Sequence, residues 1–209
     1  SASTTAGFSI CSWTGNSGTI AHGLGTTPTA IIIKRYDSSG NSWAVYNKGF
    51  GLTDSADYVM ALNDSNAKSN DATYFNDTVP TSTVFSVGSA NGVNGSGYTY
   101  VAYVFTNKSG FSRCGLYQGN GNADGAFVYT GFEPALIIAK NRDSGGPASY
   151  GWTMMSNTFG MGGATSSNPA YNDLTQNVYA DQAVAVGSSP VCDFLSNGFK
   201  WRGTSVDSN

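Results

Sequence analysis

One histidine, three cysteines and thirteen carboxylates bound the chemistry open to this 209-residue chain. A Ser-His-Asp or Cys-His site must use His22, since nucleophile activation needs a neighbouring base. His22 lies between Ala21 and Gly23 at a glycine-rich corner, and no Gly-x-Ser-x-Gly elbow accompanies it. A turn or packing role accounts for it more cheaply. Glycosidase chemistry asks for two carboxylates in different environments. Glu133 and twelve aspartates supply candidates, but the aspartates sit mostly in turn contexts, where they cap backbone groups.

Cys11, Cys114 and Cys192 are odd in number and far apart, which argues against a disulfide framework or a zinc site. Two of them stand at matching places in alternating patterns, so small buried thiols are expected. Asn120-Gly121-Asn122-Ala123-Asp124-Gly125 places side-chain oxygens at alternate positions, like the start of a calcium loop. Its first position is Asn and its twelfth is Gly131, so a hairpin loop explains the same residues. Gly23-Leu24-Gly25 lacks the third glycine and following helix of a nucleotide fingerprint. Trp43 and Trp152 occupy corresponding strand regions; an aromatic platform for sugar rings competes there with an ordinary core role. The expected inventory is therefore no catalytic residues, no metal, no cofactor and no defined ligand-binding residue. A binding surface would lie on loops that differ between copies, namely Asn63 to Asn70 or Gly160 to Asn172.

The elements that would position such residues are written twice. Gly7-Phe8-Ser9-Ile10-Cys11 returns as Gly110-Phe111-Ser112-Arg113-Cys114. Trp13-Thr14-Gly15-Asn16 is answered by Tyr117-Gln118-Gly119-Asn120, and Pro28-Thr29-Ala30-Ile31-Ile32-Ile33-Lys34 by Pro134-Ala135-Leu136-Ile137-Ile138-Ala139-Lys140. Asp37-Ser38 and Asp143-Ser144 follow. Matched blocks in one order imply a duplicated unit. Boundaries are expected at residues 1–6 for a linker, 7–106 for the first unit and 107–209 for the second.

Charged residues are 11% of the chain, against roughly 25% in ordinary soluble domains. Glu133 is the only glutamate, while β-branched and aromatic residues recur, so almost no helix is expected. The prediction is an all-β fold of two tandem, related β-sandwich units, jelly-roll-like. Net charge is −3 with scattered cations, which gives no nucleic-acid surface, and no apolar run reaches the length of a membrane span.

Strands are expected at Phe8 to Trp13, Thr29 to Tyr36, Ser42 to Asn47, Tyr58 to Leu62, around Val84 to Val87, and at Tyr98 to Phe105. The last carries bulk on both faces and belongs inside a sheet. In the second copy the candidates are Phe111 to Tyr117, Ala126 to Thr130, Ala135 to Asn141, Gly151 to Met155, Val178 to Val186 and Cys192 to Trp201. Asn63 to Thr73 reads as a polar surface loop. Pro190 with Phe194 is set against Pro80 with Phe85, and Val206 to Asn209 against Val93 to Ser96. Copy one then supplies Tyr98 to Phe105 while copy two stops. The expectation is that this strand follows in a longer chain or comes from another subunit.

The blocks Gly7-Phe8-Ser9-Ile10, Trp13-Thr14-Gly15-Asn16, His22-Gly23-Leu24-Gly25 and Asn94-Gly95-Ser96-Gly97 before Tyr100-Val101-Ala102-Tyr103 together resemble a duplicated module of tailed bacteriophages, especially marine and cyanobacterial ones. Phe127-Val128-Tyr129-Thr130-Gly131-Phe132 and Phe194-Leu195-Ser196-Asn197-Gly198-Phe199-Lys200 match its second half. The resemblance implies a non-enzymatic protein of the virion surface, such as a tail fibre, spike or capsid decoration. It implies other virion proteins as partners and a homo-oligomer, trimers being common among such fibres. A carbohydrate-binding adhesin recognising host surface glycan is the alternative, and a polysaccharide depolymerase the third reading. Asn-x-Ser/Thr triplets start at Asn63, Asn76, Asn94 and Asn107, which matter only in a eukaryotic secretory setting.

Overall fold

The computed structural model describes residues 1–51, 53–144, 151–157, 173–174, 177–183, 192–204 and 209. The chain is all-β: among these residues the helical elements are the 3-10 turns Lys48–Phe50 and Ser55–Asp57 and one four-residue α-helix, Ala72–Phe75. None is long and apolar enough to cross a membrane. The chain forms two compact units, Ser1–Leu62 with Asn66–Leu116, and Asn63–Ser65 with Tyr117–Asn209.

The first unit is built on a seven-stranded antiparallel sheet. In chain order its strands are β1 (Ala2–Ser3), β2 (Phe8–Thr14), β4 (Ala30–Arg35), β5 (Ala44–Asn47), β6 (Tyr58–Ala61), β7 (Ser69–Asn70) and β9 (Thr99–Phe105). The spatial order is β1-β2-β9-β4-β5-β6-β7. A separate ribbon joins β3 (Thr19–Ala21) to β8 (Val84–Ser86).

β9 holds the centre of this sheet. It pairs over seven positions with β2 and over six with β4. Tyr100, Ala102 and Val104 are fully buried, and they share one core with Ile31, Ile33 and Tyr46 of the sheet and Ile20 and Phe85 of the ribbon. The alternation expected for Tyr98 to Phe105 is thus realised, with ladder neighbours on both edges.

Three boundaries differ from expectation. Residues 1–6 are not a linker: β1 pairs with β2, and the Ser1 ammonium donates to Ile10 O at 2.8 Å. The Asn63 to Thr73 stretch includes β7 and the start of the α-helix, whose N-terminus Asp71 caps by accepting from Thr73 N. The units divide at Leu116 and Tyr117 rather than at 106 and 107, because 107–114 folds back on the first unit. There Ser112 Oγ donates to Thr106 O, Cys114 N donates to Asn107 Oδ1, and Lys108 bridges Ser112.

The second unit contains β10 (Phe127–Tyr129), β11 (Leu136–Ala139), β12 (Thr153–Ser156), β13 (Asp173–Leu174), β14 (Val178–Tyr179), β15 (Cys192–Leu195) and β16 (Gly198–Trp201). They form two sheets, β10-β16-β15-β13 and β11-β12-β14. Ile137, Ala139, Met155, Cys192, Phe194, Phe199 and Trp201 make the core. Gly160 to Asn172 lies outside the described residues, as do Pro190 and the end of the expected Val178 to Val186 strand.

The duplication is visible in the hydrogen bonds. Lys48 N donates to Thr29 O as Asn157 N does to Ala135 O; Leu62 N donates to Trp43 O as Ala180 N does to Trp152 O; His22 N donates to Thr83 O as Thr130 N does to Asn197 O. Ile20 pairs with Phe85 as Val128 pairs with Phe199. Phe199, and not Phe194, therefore holds the place of Phe85. Phe111 to Tyr117 is not a strand, although its pattern matches β2: β2 is held along its length by β9, and the described residues of the second copy offer 111–117 no such neighbour.

Candidate functional site

The one histidine is engaged by the fold. His22 is 2% exposed; its Nδ1 accepts from Leu24 N at 3.2 Å, and Nε2 lies 3.3 Å from Thr81 O. Those partners fix the neutral tautomer with hydrogen on Nε2. Burial lowers the pKa, offset in part by the Thr81 carbonyl. Cys11 comes near this corner, with Sγ 3.4 Å from Ala21 O and 3.5 Å from Ser9 Oγ, but both imidazole nitrogens point to backbone partners. No thiolate–imidazolium pair is formed. Gly23 and Gly25 adopt φ of 68° and 70°, values that favour glycine, and a loop rather than a phosphate-binding helix follows them.

Of the other two thiols, Cys114 departs from the expected buried place: it is half-buried, in no strand and in neither core. Cys114 has its backbone N–H on Asn107, and burial raises the pKa of its thiol. Cys192 is fully buried in the second core, and burial pushes its thiol far up. All three cysteines are free thiols.

The Asn120 to Gly125 loop uses its oxygens on itself. Asn120 Oδ1 accepts from Asn122 N, Asn122 Oδ1 accepts from Asp124 N, and Asn120 Nδ2 donates to Asp124 O. These are successive Asx turns. The Asp124 carboxylate faces Lys200 Nζ at 2.6 Å and Arg202 at 3.5 Å, and Lys200 draws its pKa down. Protein cations thus neutralise the one carboxylate of this loop, and no cluster of three His, Cys, Asp or Glu side chains occurs among the described residues.

Trp43 is half-buried, stacks on Tyr103 at 6.3 Å and has Lys34 Nζ 5.9 Å from its ring. Trp152 is buried. They occupy equivalent places in their two units, one half-buried and one buried. The more open aromatic group is at the β4–β5 turn: Tyr36 is 59% exposed, and the Arg35 guanidinium lies 3.2 Å from the Tyr98 ring centroid. Asn94 is unsuited to carry a glycan, because its side chain is wholly engaged.

One feature escaped the sequence reading, an asparagine clasp. Asn94 Oδ1 accepts from Asn16 N and Ser17 N, and Nδ2 donates to Ser17 O and Gly88 O. Asn209 repeats it: Oδ1 accepts from Asn120 N and Ala126 N, and Nδ2 donates to Asn122 O and Gly203 O. Asn209 therefore corresponds to Asn94, where sequence comparison alone set it against Ser96. The clue was Asn16 and Asn120 opening both loops.

The open edge expected where the second copy lacks a counterpart of Tyr98 to Phe105 falls on β11. β4 is flanked by β5 and β9, whereas β11 pairs with β12 on one side and with no strand on the other among the described residues. Leu136 and Ile138 are 52% and 44% exposed.

No curated protein and no solved structure significantly matches the chain. A family model described as a domain of unknown function, DUF7483, matches residues 1–209, and the chain belongs to that family.

Proposed function

We propose that this protein is a non-enzymatic component of a tailed-bacteriophage virion surface, a fibre, spike or decoration module that presents neutral polar loops on a stiff β scaffold and assembles with other virion proteins. One observation supports the reading beyond sequence resemblance: the histidine, the Asn120 to Asp124 loop and two of the three cysteines serve the fold. Both nitrogens of His22 serve backbone atoms, the Asn120 to Asp124 oxygens close their own turns, and the Cys11 and Cys192 thiols are core residues. A duplicated sheet held by backbone ladders suits display, since long antiparallel pairing such as β2-β9-β4 resists local opening.

The test is location. Antibody against the 209-residue chain, applied to purified particles of the phage that encodes it, is expected to label a fixed virion site in immunogold images, with the peptide recovered from those particles by mass spectrometry. Antigen found only in the particle-free fraction would sink the proposal. An adhesin reading is favoured by exposed Tyr36 beside the Arg35–Tyr98 stack, a geometry able to receive a sugar face. Glycan-array binding that Tyr36→Ala removes, with folding intact, supports it; no binding across host polysaccharides defeats it.

A further inference from the structure

We infer that Asn120 is a self-modification site: the Gly121 nitrogen closes on the Asn120 carboxamide, expels ammonia and leaves an aspartate or isoaspartate in the loop. The inference does not depend on a virion setting, because it rests on the local structure around four chemically identical dipeptides.

The chain holds four Asn–Gly pairs, opening at Asn91, Asn94, Asn120 and Asn197. Glycine leaves the nitrogen unshielded and the backbone free to turn, which makes this dipeptide prone to cyclisation. In the step, the glycine N–H gives its proton to solvent base and the nitrogen bonds the side-chain Cγ. The Cγ–Nδ2 bond breaks and ammonia departs, leaving a five-membered succinimide. Water then adds to either of its carbonyls, so one amide and one water become one carboxylic acid and one ammonia, with no oxidant or reductant. Sequence makes the four pairs alike; their surroundings separate them.

Three are held. The Asn94 carboxamide is fixed by four hydrogen bonds to Asn16, Ser17 and Gly88. Gly95 is buried, and a Cβ there would stand 2.6 Å from Asn91 and 2.8 Å from Tyr98. Gly92 is buried in a turn whose next two amides, Val93 N and Asn94 N, both bond Ala90 O. Gly198 is buried and opens β16, paired with Leu195 on one side and Tyr129 on the other. At each of these, solvent base reaches the attacking nitrogen only through local opening, which costs free energy.

Asn120 differs on each count. Asn120 and Gly121 are exposed, and Gly121 N donates to no protein atom among the described residues. Nothing lies within 4 Å of a Cβ placed on Gly121. The Asx turn folds the carboxamide back over residue 121, since Asn120 Oδ1 accepts from Asn122 N at 3.0 Å. The same N–H donates to the oxygen on which charge gathers as the nitrogen attacks. One contact must yield, the bond from Asn120 Nδ2 to Asp124 O. The neighbouring Asp124–Gly125 pair, which could cyclise with loss of water, is withheld: Gly125 is buried with its N–H on Trp201 O, and the carboxylate is paired with Lys200. Reaction at Asn120 sets a new carboxylate on the loop that Asn209 clasps. Its isoaspartate form lengthens the backbone by one carbon between the two clasped amides, Asn120 N and Ala126 N.

The test ages the full chain at mildly alkaline pH, folded and in guanidinium chloride, and follows each pair by peptide mapping with mass spectrometry that separates aspartate from isoaspartate. In the folded chain Asn120 is expected to convert at least about tenfold faster than Asn91, Asn94 or Asn197, while in denaturant the four rates converge to within about threefold. Equal rates at all four in the folded chain, another pair ahead of Asn120, or conversion of Asn120 in denaturant only, overturns the inference. An equal lead for Asn120 in denaturant overturns it too, because flanking sequence rather than the fold would then set the order.

Discussion

Acidifying the protein from pH 7.5 to 5.5 tests the His22 corner through the chain's only imidazole. In the fold, Nδ1 accepts from Leu24 N, so protonating that nitrogen would set two donors against each other at 3.2 Å, at a residue 2% exposed. Burial accordingly lowers the folded pKa below the ordinary 6.5. The sign follows directly. Between the lowered folded pKa and 6.5 the unfolded chain binds more protons than the folded one, so stability is full above pH 6.5 and falls as pH drops through that window. One proton sets the steepest slope at about 1.4 kcal/mol per pH unit. Because the chain has two units, the reporter should be local: exchange of the Ile31 and Ala102 amides in the first core, measured at half-unit steps. A ring titration by NMR runs in parallel and requires no assignment. The expected result is a ring midpoint below 6.5, with core exchange accelerating as pH falls after correction for intrinsic rates, and a flat profile in His22→Gln. A ring midpoint at or above 6.5, with core stability unchanged or rising on acidification, would refute the reasoning.

The remaining expectations concern packing and the clasp. In Gly15→Ala the new methyl would stand 1.8 Å from Gly95 O, a backbone atom, so a loss of at least about 2 kcal/mol is expected, whereas Gly18→Ala meets nothing within 4 Å and should be near neutral; paired denaturant melts decide. Asn94→Ala removes four hydrogen bonds and leaves Gly88 O and Ser17 O unmet, so a loss of about 2–4 kcal/mol is expected, read from chemical unfolding of the first unit. Cys192 is expected to stay unmodified by a water-soluble thiol reagent under native conditions and to react fully in denaturant; native labelling on the timescale of free thiols would contradict its place in the core.

Much of the first unit was legible because its local pattern and its partners agree. The run Ala30 to Ile33 is apolar on both faces and became a strand with neighbours on both sides; Tyr98 to Phe105 did the same. Phe111 to Tyr117 shows the limit of such reading. Its residues match those of Phe8 to Thr14, yet a strand exists only where another backbone meets it, and alternation does not encode that meeting. Residues 1–6 failed in the opposite sense, since Ser-Ala-Ser has no strand signature and is recruited by the edge of β2. The assignment of Phe194 to the place of Phe85 failed because matching relied on residue type near a proline, while register is settled by the partner strand, Val128 against Phe199. Among the candidate sites, His22 packs at a buried corner as a turn residue would, whereas the Asn120 loop joins no pair of hydrogen-bonded strands and so is not the hairpin its residues suggest. The clasp stayed hidden because asparagine is common in turns, and nothing in one sequence marks the two that reach across to a distant loop.

The asparagine clasp separates loop length from core geometry. From Asn16 the first unit reaches Ile20 in four residues, whereas from Asn120 the second reaches Val128 in eight, and these two residues hold the same ladder place. One amide pins the first loop at Asn16 and Ser17 and the other pins the longer loop at both Asn120 and Ala126, so the extra residues 121–124 swell outward and the register beneath does not feel them. Such a port lets descendants of one duplicated module diversify what they show to the outside while inheriting an unaltered frame, with variation and foldability kept on separate residues.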